Sequence, residues 1–194
     1  MNNLSEATFI FDKFPTIETK RFWLREAKEE DYLDVYEIYS SEEAVKYQGM
    51  KNMKTLEQAK KSIMSFKKGF KEKRFIRWCI EDKNTNKVVG TITLHDFDFD
   101  ESTVQIGYML NIKYWRRNIM TECGLEVLKY AFEDLKFKSI QAYIHPGNIA
   151  SIKLNEKLGF INKKIIKEVV FNLNSEVFED RVLYEKGCNY GLCI

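Results

Sequence analysis

The stretch that decides the fold lies in the middle of the chain and reads Leu110-Asn111-Ile112-Lys113-Tyr114-Trp115-Arg116-Arg117-Asn118-Ile119-Met120-Thr121-Glu122. Alternating residues before it predict a strand over 103–110, and helical periodicity after it predicts a helix over 121–135. The first N–H groups of a helix lack internal partners, and the helix dipole favours an anion there. Arg116 and Arg117 lie in the same loop, and guanidinium groups fork onto phosphate oxygens. The junction favours an anion site, with an ordinary capped helix and solvated arginines as the alternative.

Three further helices are predicted outside this junction. Asp31 is positioned to cap a helix that ends near Ser40 and buries Leu33, Val35, Tyr36 and Tyr39. Residues 55–58 have the pattern of a capping box, and an apolar stripe of helical spacing follows, namely Ala59, Ile63, Phe66 and Phe70. A shorter helix over 150–158 ends at Gly159, a residue type that favours helix termination.

Strands are predicted from runs of alternating or β-branched residues. They cover 21–25, 76–81, 88–94, 103–110, 139–144, 163–173 and 177–185. In the strand 103–110, Val104, Ile106, Tyr108 and Leu110 share one face, and Gln105, Gly107 and Met109 share the other. The element order is β-α-α-β-β-β-α-β-α-β-β, which indicates an α+β fold with a mixed sheet.

Composition limits the class of protein. The 194 residues carry 31 Lys+Arg against 29 Asp+Glu, for a net charge of +2, and 44% are hydrophobic. These values favour one globular domain over 1–194 and give no global case for nucleic-acid binding. We find no secretory signal and no apolar run of membrane-spanning length, so we expect a soluble, cytoplasmic protein without a membrane partner.

The cysteines and histidines do not form a metal motif. Cys79, Cys123, Cys188 and Cys193 show no CxxC spacing, and His95 and His145 lie far apart in the sequence. We therefore expect no metal site and reduced thiols, with Cys79 and Cys123 as small apolar core residues.

The motifs around the central junction resemble the GNAT superfamily of acyl-CoA-dependent N-acyltransferases, and more narrowly its ribosomal-protein alanine N-acetyltransferase branch. The resemblance covers about residues 16–186 and is carried by segments 19–25, 105–110, 114–115, 119–122, 148–151, 156–160 and 180–184. It implies a six- or seven-stranded mixed sheet flanked by about four helices, with the fourth and fifth strands splayed apart around the cofactor's pantetheine arm.

The resemblance also implies a site for acetyl-CoA or coenzyme A. Backbone groups of Met109 and Leu110 would contact the pantetheine, the loop from Arg116 to Thr121 would hold the pyrophosphate, and Asn148 and Ser151 would add polar contacts. The full set is Met109, Leu110, Arg116, Arg117, Asn118, Ile119, Met120, Thr121, Asn148 and Ser151. The plain alternative makes Asn148 a turn residue and places Ser151 in a first helical turn.

Two departures from the family pattern concern this site. The family's loop carries glycine where Asn118 stands, and this branch often has another at Arg116. Asn is among the few other residues enriched at positive φ, so we expect Asn118 to adopt a left-handed conformation. The branch also often has Glu at the position of Gln105, where it serves as or positions the general base. Gln cannot take a proton.

Other candidates for the general base lie in the acidic segment 95–101. An imidazole can accept a proton from an ammonium substrate, so His95 is one candidate, and Glu101 is a further one. The carboxylates of this segment would attract a cationic acceptor. A solvated acidic loop without a catalytic role is the alternative.

A basic stretch from Lys60 to Arg77 contains eight basic residues and one acidic residue, with aromatic residues between them. Nucleic-acid or membrane-surface binding is one interpretation. Because Phe66 and Phe70 continue the apolar stripe of the predicted helix, we prefer a core-facing stripe with a solvated lysine face.

The resemblance implies an N-acetyltransferase that moves an acetyl group from acetyl-CoA to a primary amine, by direct transfer in a ternary complex. A protein N-terminus, a polyamine and another small amine are all open as acceptors. The alternative is a catalytically impaired acyl-CoA-binding protein of the same fold, which the missing glycines and Gln105 favour. The sequence leaves the oligomeric state open, a homodimer included.

Overall fold

The computed structural model describes residues 10–188, which form one eight-stranded mixed sheet with helices on both faces. The strands are β1 (Ile17–Glu18), β2 (Phe22–Arg25), β3 (Phe75–Asp82), β4 (Val88–Asp98), β5 (Thr103–Leu110), β6 (Ser139–Ile144), β7 (Ile161–Asn172) and β8 (Val177–Gly187). Their spatial order is β1-β2-β3-β4-β5-β6-β8-β7. Seven of them match the predicted strands, and the two-residue β1, too short to show a period, was missed.

The helices are α1 (Tyr32–Ser40), α2 (Glu42–Val45), α3 (Leu56–Lys71), α4 (Ile119–Lys129) and α5 (Ile149–Lys157). A π-helical turn, Tyr130–Asp134, extends α4. The predicted capping box of α3 is confirmed, since Thr55 Oγ1 accepts from the Gln58 N–H and Gln58 Oε1 accepts from the Thr55 N–H. The four-residue α2 was not predicted.

Two hydrophobic clusters cover the two faces of the sheet. The larger includes Val104 and Ile106 together with buried residues of α4. The smaller includes Cys79 and Met109 of the opposite face with buried residues of α1 and α3. The alternation predicted for β5 is thereby confirmed.

The burial of side chains on α1 and α3 tests the apolar faces predicted for these two helices. The stripe of α3 is confirmed as core-facing, because Ala59, Ile63 and Phe66 are buried while Lys60 and its neighbouring lysines are exposed. On α1 the prediction is wrong for Leu33, which is exposed, and it missed Ile38, which is buried.

Asp31 does not cap α1 as predicted. Its carboxylate accepts from the Lys28 N–H and from both terminal nitrogens of Arg25, at 2.7 and 2.9 Å. A carboxylate paired with a guanidinium in this forked geometry ties β2 to the start of α1, and that stronger interaction replaces the cap.

The cysteine prediction holds for the core and fails at the end of the chain. Cys79 and Cys123 are fully buried free thiols. Cys188, which follows β8 outside the core, is disulfide-bonded, so the expectation of a reduced thiol is wrong there. Cys193 lies outside the described residues.

The splay between β5 and β6 is the feature that creates a site. The two strands pair in parallel only from Thr103↔Ser139 to Gln105↔Gln141, although both continue beyond this point. On its other side β5 stays paired with β4 as far as Gly90↔Leu110. Gly90 is required there, because a Cβ on it would lie 2.5 Å from the Met109 carbonyl oxygen. The predicted splay between the fourth and fifth predicted strands is therefore present between β5 and β6.

The edge of the described sheet opposite to β1 is formed by a long strand. β7 is its outermost strand, and Ile161, Ile165 and Val169 on this strand are exposed. The pairing of β7 with β8 is interrupted by register shifts, one of them between Ile166 and Val170.

A polar clamp fixes the start of α4 against the first strands. Glu122 accepts hydrogen bonds from the Thr19 hydroxyl at 2.7 Å, from the Arg21 N–H at 2.8 Å and from Arg21 Nε at 2.7 Å. Burial by itself pushes the pKa of Glu122 upwards, but these hydrogen bonds and the Arg21 charge outweigh it and lower the pKa. The ionised form of Glu122 therefore stabilises the folded chain.

We expect Glu122→Gln to reduce the free energy of unfolding by about 1–2 kcal/mol at neutral pH, because the clamp loses its charge and one acceptor. A depressed pKa in the folded state gives stability above the unfolded-state pKa, and this stability is lost as the pH falls through the folded-state pKa. The difference between wild type and variant should therefore shrink on acidification. Urea unfolding across pH 3–8 measures it, and a difference that does not change with pH would contradict the clamp.

Candidate active site

A cleft of about 590 Å³ opens where β5 ends, beside the starts of α4 and α5. It is lined by all the residues predicted for the cofactor, namely Met109, Leu110, Arg116, Arg117, Asn118, Ile119, Met120, Thr121, Asn148 and Ser151. Residues from three separate segments of the sequence therefore meet at one surface. Their convergence is a property of the fold that local spacing alone could not establish.

The helix α4 presents an N-terminus without a side-chain cap from Asn118. The first N–H bonded back along the helix is that of Glu122, which donates to the Asn118 carbonyl at 3.1 Å. The N–H groups of Ile119, Met120 and Thr121 precede it and have no intrahelical acceptor. These residues line the cleft, so the helix end offers donors and a positive dipole end to an anion.

The loop before α4 makes its turn with two left-handed residues. Asn118 has φ 56° and Arg116 has φ 60°, the two positions at which the family pattern has glycine. The expectation for Asn118 is confirmed. Its side-chain oxygen accepts from Lys157 Nζ at 2.9 Å, which links the loop to the end of α5. Positive φ at Arg116 was not expected and shows that the loop keeps a glycine-like backbone without glycine.

The electrostatics of the cleft favour a polyanionic ligand. Among the described residues that line it, four are basic, namely Arg116, Arg117, Lys153 and Lys157, and none is acidic. Glu122, the acidic residue of the first turn of α4, is neutralised by Arg21 in the clamp. The positive charges therefore face the cleft without compensation from its own lining.

The end of β5 is held by a residue that the sequence did not identify. Trp115 donates from Nε1 to the Leu110 carbonyl at 3.0 Å, and both residues line the cleft. A carbonyl has two lone pairs, so Leu110 keeps acceptor capacity after this bond. Trp115 thus fixes the strand end that the resemblance assigns to pantetheine.

Asn148 and Ser151 combine a structural role with a place in the cleft. Asn148 Oδ1 accepts from the Ser151 N–H at 3.1 Å and caps α5. The alternative given for these two residues, a turn residue and a residue of a first helical turn, is therefore also present. Because both also line the cleft, the structural role and contact with a ligand are compatible.

The two candidate catalytic residues His95 and Gln105 lie side by side. They form a register pair between β4 and β5 on the sheet face that α1 and α3 cover. His95 Nδ1 lies 3.0 Å from Asp96 Oδ2, and a Cβ placed on Gly107 would lie 3.7 Å from His95 Nε2. Asp96 thus orients the ring, and Nε2 lies beside Gly107, although neither His95 nor Gln105 lines the cleft itself.

The segment 95–101 is only partly the loop that the sequence predicted. β4 continues to Asp98, with a register shift after His95, and Asp96 has φ 49°. This irregularity turns the Asp96 carboxylate back toward the ring of its neighbour. A bulge of this kind carries no clear sequence signal, which is why the strand end was misplaced.

Glu101 is not brought to the cleft. It is exposed in the turn before β5, where its N–H donates to Asp98 Oδ1. Thr103, the first residue of β5 after this turn, and Tyr108, which lines the cleft, are five residue steps apart, a length of about 17 Å. The groove beside His95 is lined by Lys73, Arg74 and Arg77 as well as by Asp96, so its charge is mixed rather than acidic.

A second, smaller cavity of about 50 Å³ lies inside the splay, and we call it the splay cavity. It shares Gln48, Tyr108, Asn148 and Ser151 with the cleft. Its remaining lining is Tyr47, Ile106, Gly107, Ala142, Tyr143, Ile144, His145 and Asn155. Sequence reasoning identified none of these as site residues, because only the separation of β5 from β6 brings them together.

No cluster of three or more His, Cys, Asp or Glu side chains suited to a metal ion occurs within residues 10–188. In the same part of the chain, no helix is both long and apolar enough to cross a membrane.

The comparisons with known proteins agree with the geometry. Residues 21–161 match the family model described as the acetyltransferase (GNAT) domain. The uncharacterized N-acetyltransferase YoaA of Bacillus subtilis (strain 168) is 32% identical over 158 residues, which cover 81% of this chain and 89% of that protein.

Solved structures share the fold. The ribosomal-protein-S5-alanine acetyltransferase from Vibrio fischeri has a TM-score of 0.74 at 20% identity, covering 89% of this chain and 96% of its own. RimJ of Mycobacterium smegmatis, in complex with CoA-disulfide, has a TM-score of 0.80 at 16% identity, covering 90% of this chain and 88% of its own. At these identities the likeness concerns the fold alone.

We expect Asn118→Gly to keep the affinity for CoA, since glycine adopts positive φ without strain. Asn118→Val should weaken it by about five- to a hundredfold, because a β-branched residue in this conformation costs on the order of 1–3 kcal/mol. Calorimetric titration with CoA measures the affinity, and melting temperatures separate lost binding from lost stability. If the valine variant binds as tightly as wild type with equal stability, the positive-φ argument is wrong.

Proposed function

Since the chain belongs to the GNAT acetyltransferase family, we propose that it transfers an acetyl group from acetyl-CoA directly to a primary amine in a ternary complex. The observation that carries the proposal is a single cleft with a basic lining, a helix N-terminus and a strand end. This cleft shares four lining residues with the splay cavity. His95, oriented by Asp96, has its Nε2 beside Gly107, a residue of the lining of that cavity.

The polar and charged groups of the cleft match the chemical groups of coenzyme A. The N–H groups at the start of α4, with Arg116 and Arg117, would hold the pyrophosphate. The backbone at Met109 and Leu110 would hold the pantetheine, which carries amide groups of its own. Asn148 and Ser151 add polar atoms at the start of α5.

The reaction forms one C–N bond and breaks one C–S bond. The ammonium of the acceptor first loses a proton, and the free amine attacks the thioester carbonyl carbon. The C–S bond then breaks, the nitrogen loses a second proton, and the thiolate takes up one. The sum is an amide, the free thiol and one released proton, so no oxidant or metal is needed.

His95 is the base that we assign to the first proton. Its Nδ1 is occupied by Asp96, so Nε2 is left to accept a proton on the side of Gly107. Gln105 cannot act as a base, but it lies beside His95 and can hydrogen-bond the amine. Glu101 lies in the turn before β5, outside the cleft, and is not part of the proposed mechanism.

Direct transfer is supported by the state of the thiols. Burial raises the pKa of Cys79 to about 12 and that of Cys123 still further, so both stay protonated. Neither of these two thiols is suited to form an acyl-enzyme. Most of the rate would then come from holding amine and thioester together.

A second candidate function is acyl-CoA binding without transfer. It is favoured by Gln105, which stands where the family branch often has Glu. The two functions differ in one measurable property, since only the enzyme releases CoA when an amine is added.

The acceptor is open beyond the class of primary amines. Among the structural neighbours are acetyltransferases of ribosomal proteins, so peptides with free N-termini belong in the acceptor panel with polyamines and small amines. The carboxylates of segment 95–101 support a cationic acceptor, although Lys73 and Arg74 lie beside them.

We expect millimolar CoA to raise the melting temperature of the wild-type chain, because a ligand that binds only the folded state stabilises it. We expect CoA release from acetyl-CoA with at least one amine of the panel. CoA binding without release for any amine would favour the binding protein, and the absence of any binding would refute both functions.

We further expect His95→Gln to lower kcat by about a hundredfold or more, in the range attributed to a general base, with the Kd for CoA within about twofold of wild type. Asp96→Asn should lower kcat less, because it removes the orientation of the ring and not the base. Asp98→Asn is the matched control two residues away. An unchanged kcat in His95→Gln would exclude His95 as the base.

A further inference from the structure

We propose that Tyr108 binds the acyl carbonyl of the donor through its hydroxyl, and that Asn155 accepts from the amide N–H next to the thioethyl group. Tyr108 would therefore distinguish acyl-CoA from free CoA. The inference rests on the proposed function and assigns two side chains to that reaction that the sequence did not identify.

The observation behind it is a pair of buried polar atoms without partners. Within residues 10–188, the Tyr108 hydroxyl and Asn155 Oδ1 are two of three buried side-chain atoms that make no hydrogen bond. The third, Ser139 Oγ, belongs to a residue of neither the cleft nor the splay cavity. Tyr108 and Asn155 both line the splay cavity, and Tyr108 also lines the cleft.

One of the two polar atoms of the Asn155 side-chain amide has a partner, and this bond holds the side chain in place. The residue is fully buried in α5, and its Nδ2 donates to the Ser151 carbonyl at 2.9 Å. This bond fixes the side chain and leaves Oδ1 as an acceptor. Ser151 itself lines the cleft, so α5 positions both residues.

Tyr108 is placed by β5. Its side chain points to the sheet face of α4, with Val104 and Ile106, and its hydroxyl is buried. Burial raises the pKa of this hydroxyl well above its usual value, so it remains a donor at every working pH.

An unpartnered buried polar group destabilises a fold by about 1–3 kcal/mol, and native structures contain few of them. Both Tyr108 and Asn155 line one small cavity, and a ligand there that supplies one acceptor and one donor would satisfy both atoms. The end of an acyl-CoA has both, since its thioester carbonyl accepts and its nearest amide N–H donates. Free CoA has the amide and lacks the carbonyl.

The pantetheine arm of an acyl-CoA could enter between β5 and β6 without disrupting the sheet. Both atoms are covered in the chain by itself, so the splay must widen slightly for contact. Beyond Gln105↔Gln141 no register pair joins β5 to β6, and a small separation there breaks no ladder hydrogen bond. The hydroxyl would also stabilise the negative charge that develops on the carbonyl oxygen during attack.

The test is Tyr108→Phe, which removes one oxygen. We expect an unchanged or higher melting temperature without ligand, because a buried group without a partner is lost. The Kd for CoA should stay within about twofold, whereas that for acetyl-CoA, titrated without acceptor, should rise about five- to twentyfold, the effect of one hydrogen bond. Tyr130→Phe, a half-buried tyrosine against Trp78 and outside the cleft, is the matched control.

Three outcomes would overturn the assignment. An equal change in affinity for both ligands would mean that Tyr108 does not contact the carbonyl, and no change for either would mean that it contacts no ligand. A lower melting temperature of Tyr108→Phe without ligand would mean that the hydroxyl hydrogen-bonds a buried water in the free protein. If the wild-type chain binds neither ligand, the proposed function fails first.

Asn155→Leu tests the second half of the proposal. It should weaken CoA and acetyl-CoA by the same factor, because both carry the amide N–H. A loss confined to acetyl-CoA would contradict the assignment. Melting temperatures identify a variant that fails to fold, and Asn155→Ser, which is smaller and keeps a hydroxyl acceptor, then replaces it.

Discussion

The structure depends on one interrupted ladder. β5 and β6 begin as a parallel pair and separate after three residue pairs, while each stays bonded to its other neighbour. Strands that are paired on one side only present backbone groups that a ligand can use, as an exposed sheet edge does. Here this edge lies inside the sheet, between two helix N-termini. The cleft and the splay cavity both follow from that separation.

Several interactions at a distance keep the interruption in place. Gly90 lets β4 approach the end of β5 closely, and the clamp of Glu122 with Arg21 holds the start of α4 to the first strands. The clamp also removes the one acidic charge of the first helical turn from the electrostatics of the cleft. Packing on one side and charge neutralisation on the other therefore shape a basic cleft in a chain whose net charge is only +2.

Much of this could be predicted from the sequence, and the failures share a cause. Strand 103–110 was exact because alternation is a local property, and the left-handed Asn118 followed from the chemistry of one residue type. Asp31, by contrast, was wrongly predicted to cap α1. Its pairing with Arg25 forms only when β2 and the start of α1 lie together, and local sequence does not show this. Tyr108 and Asn155 could not be found at all, since the absence of a hydrogen-bond partner is visible only after the whole fold is assembled.

The position of β7 as the outermost described strand has a consequence for self-association. A long outer strand with exposed Ile161, Ile165 and Val169 is a template on which a second chain could extend the sheet. Three exposed lysines stand on the same strand, Lys163, Lys164 and Lys167, and the shift between Ile166 and Val170 breaks its straight course. Lys163 and Lys167 already pair with Glu185 and Asp180 of β8. The irregular backbone, more than repulsion between lysines, therefore limits how far a second chain could pair along this strand.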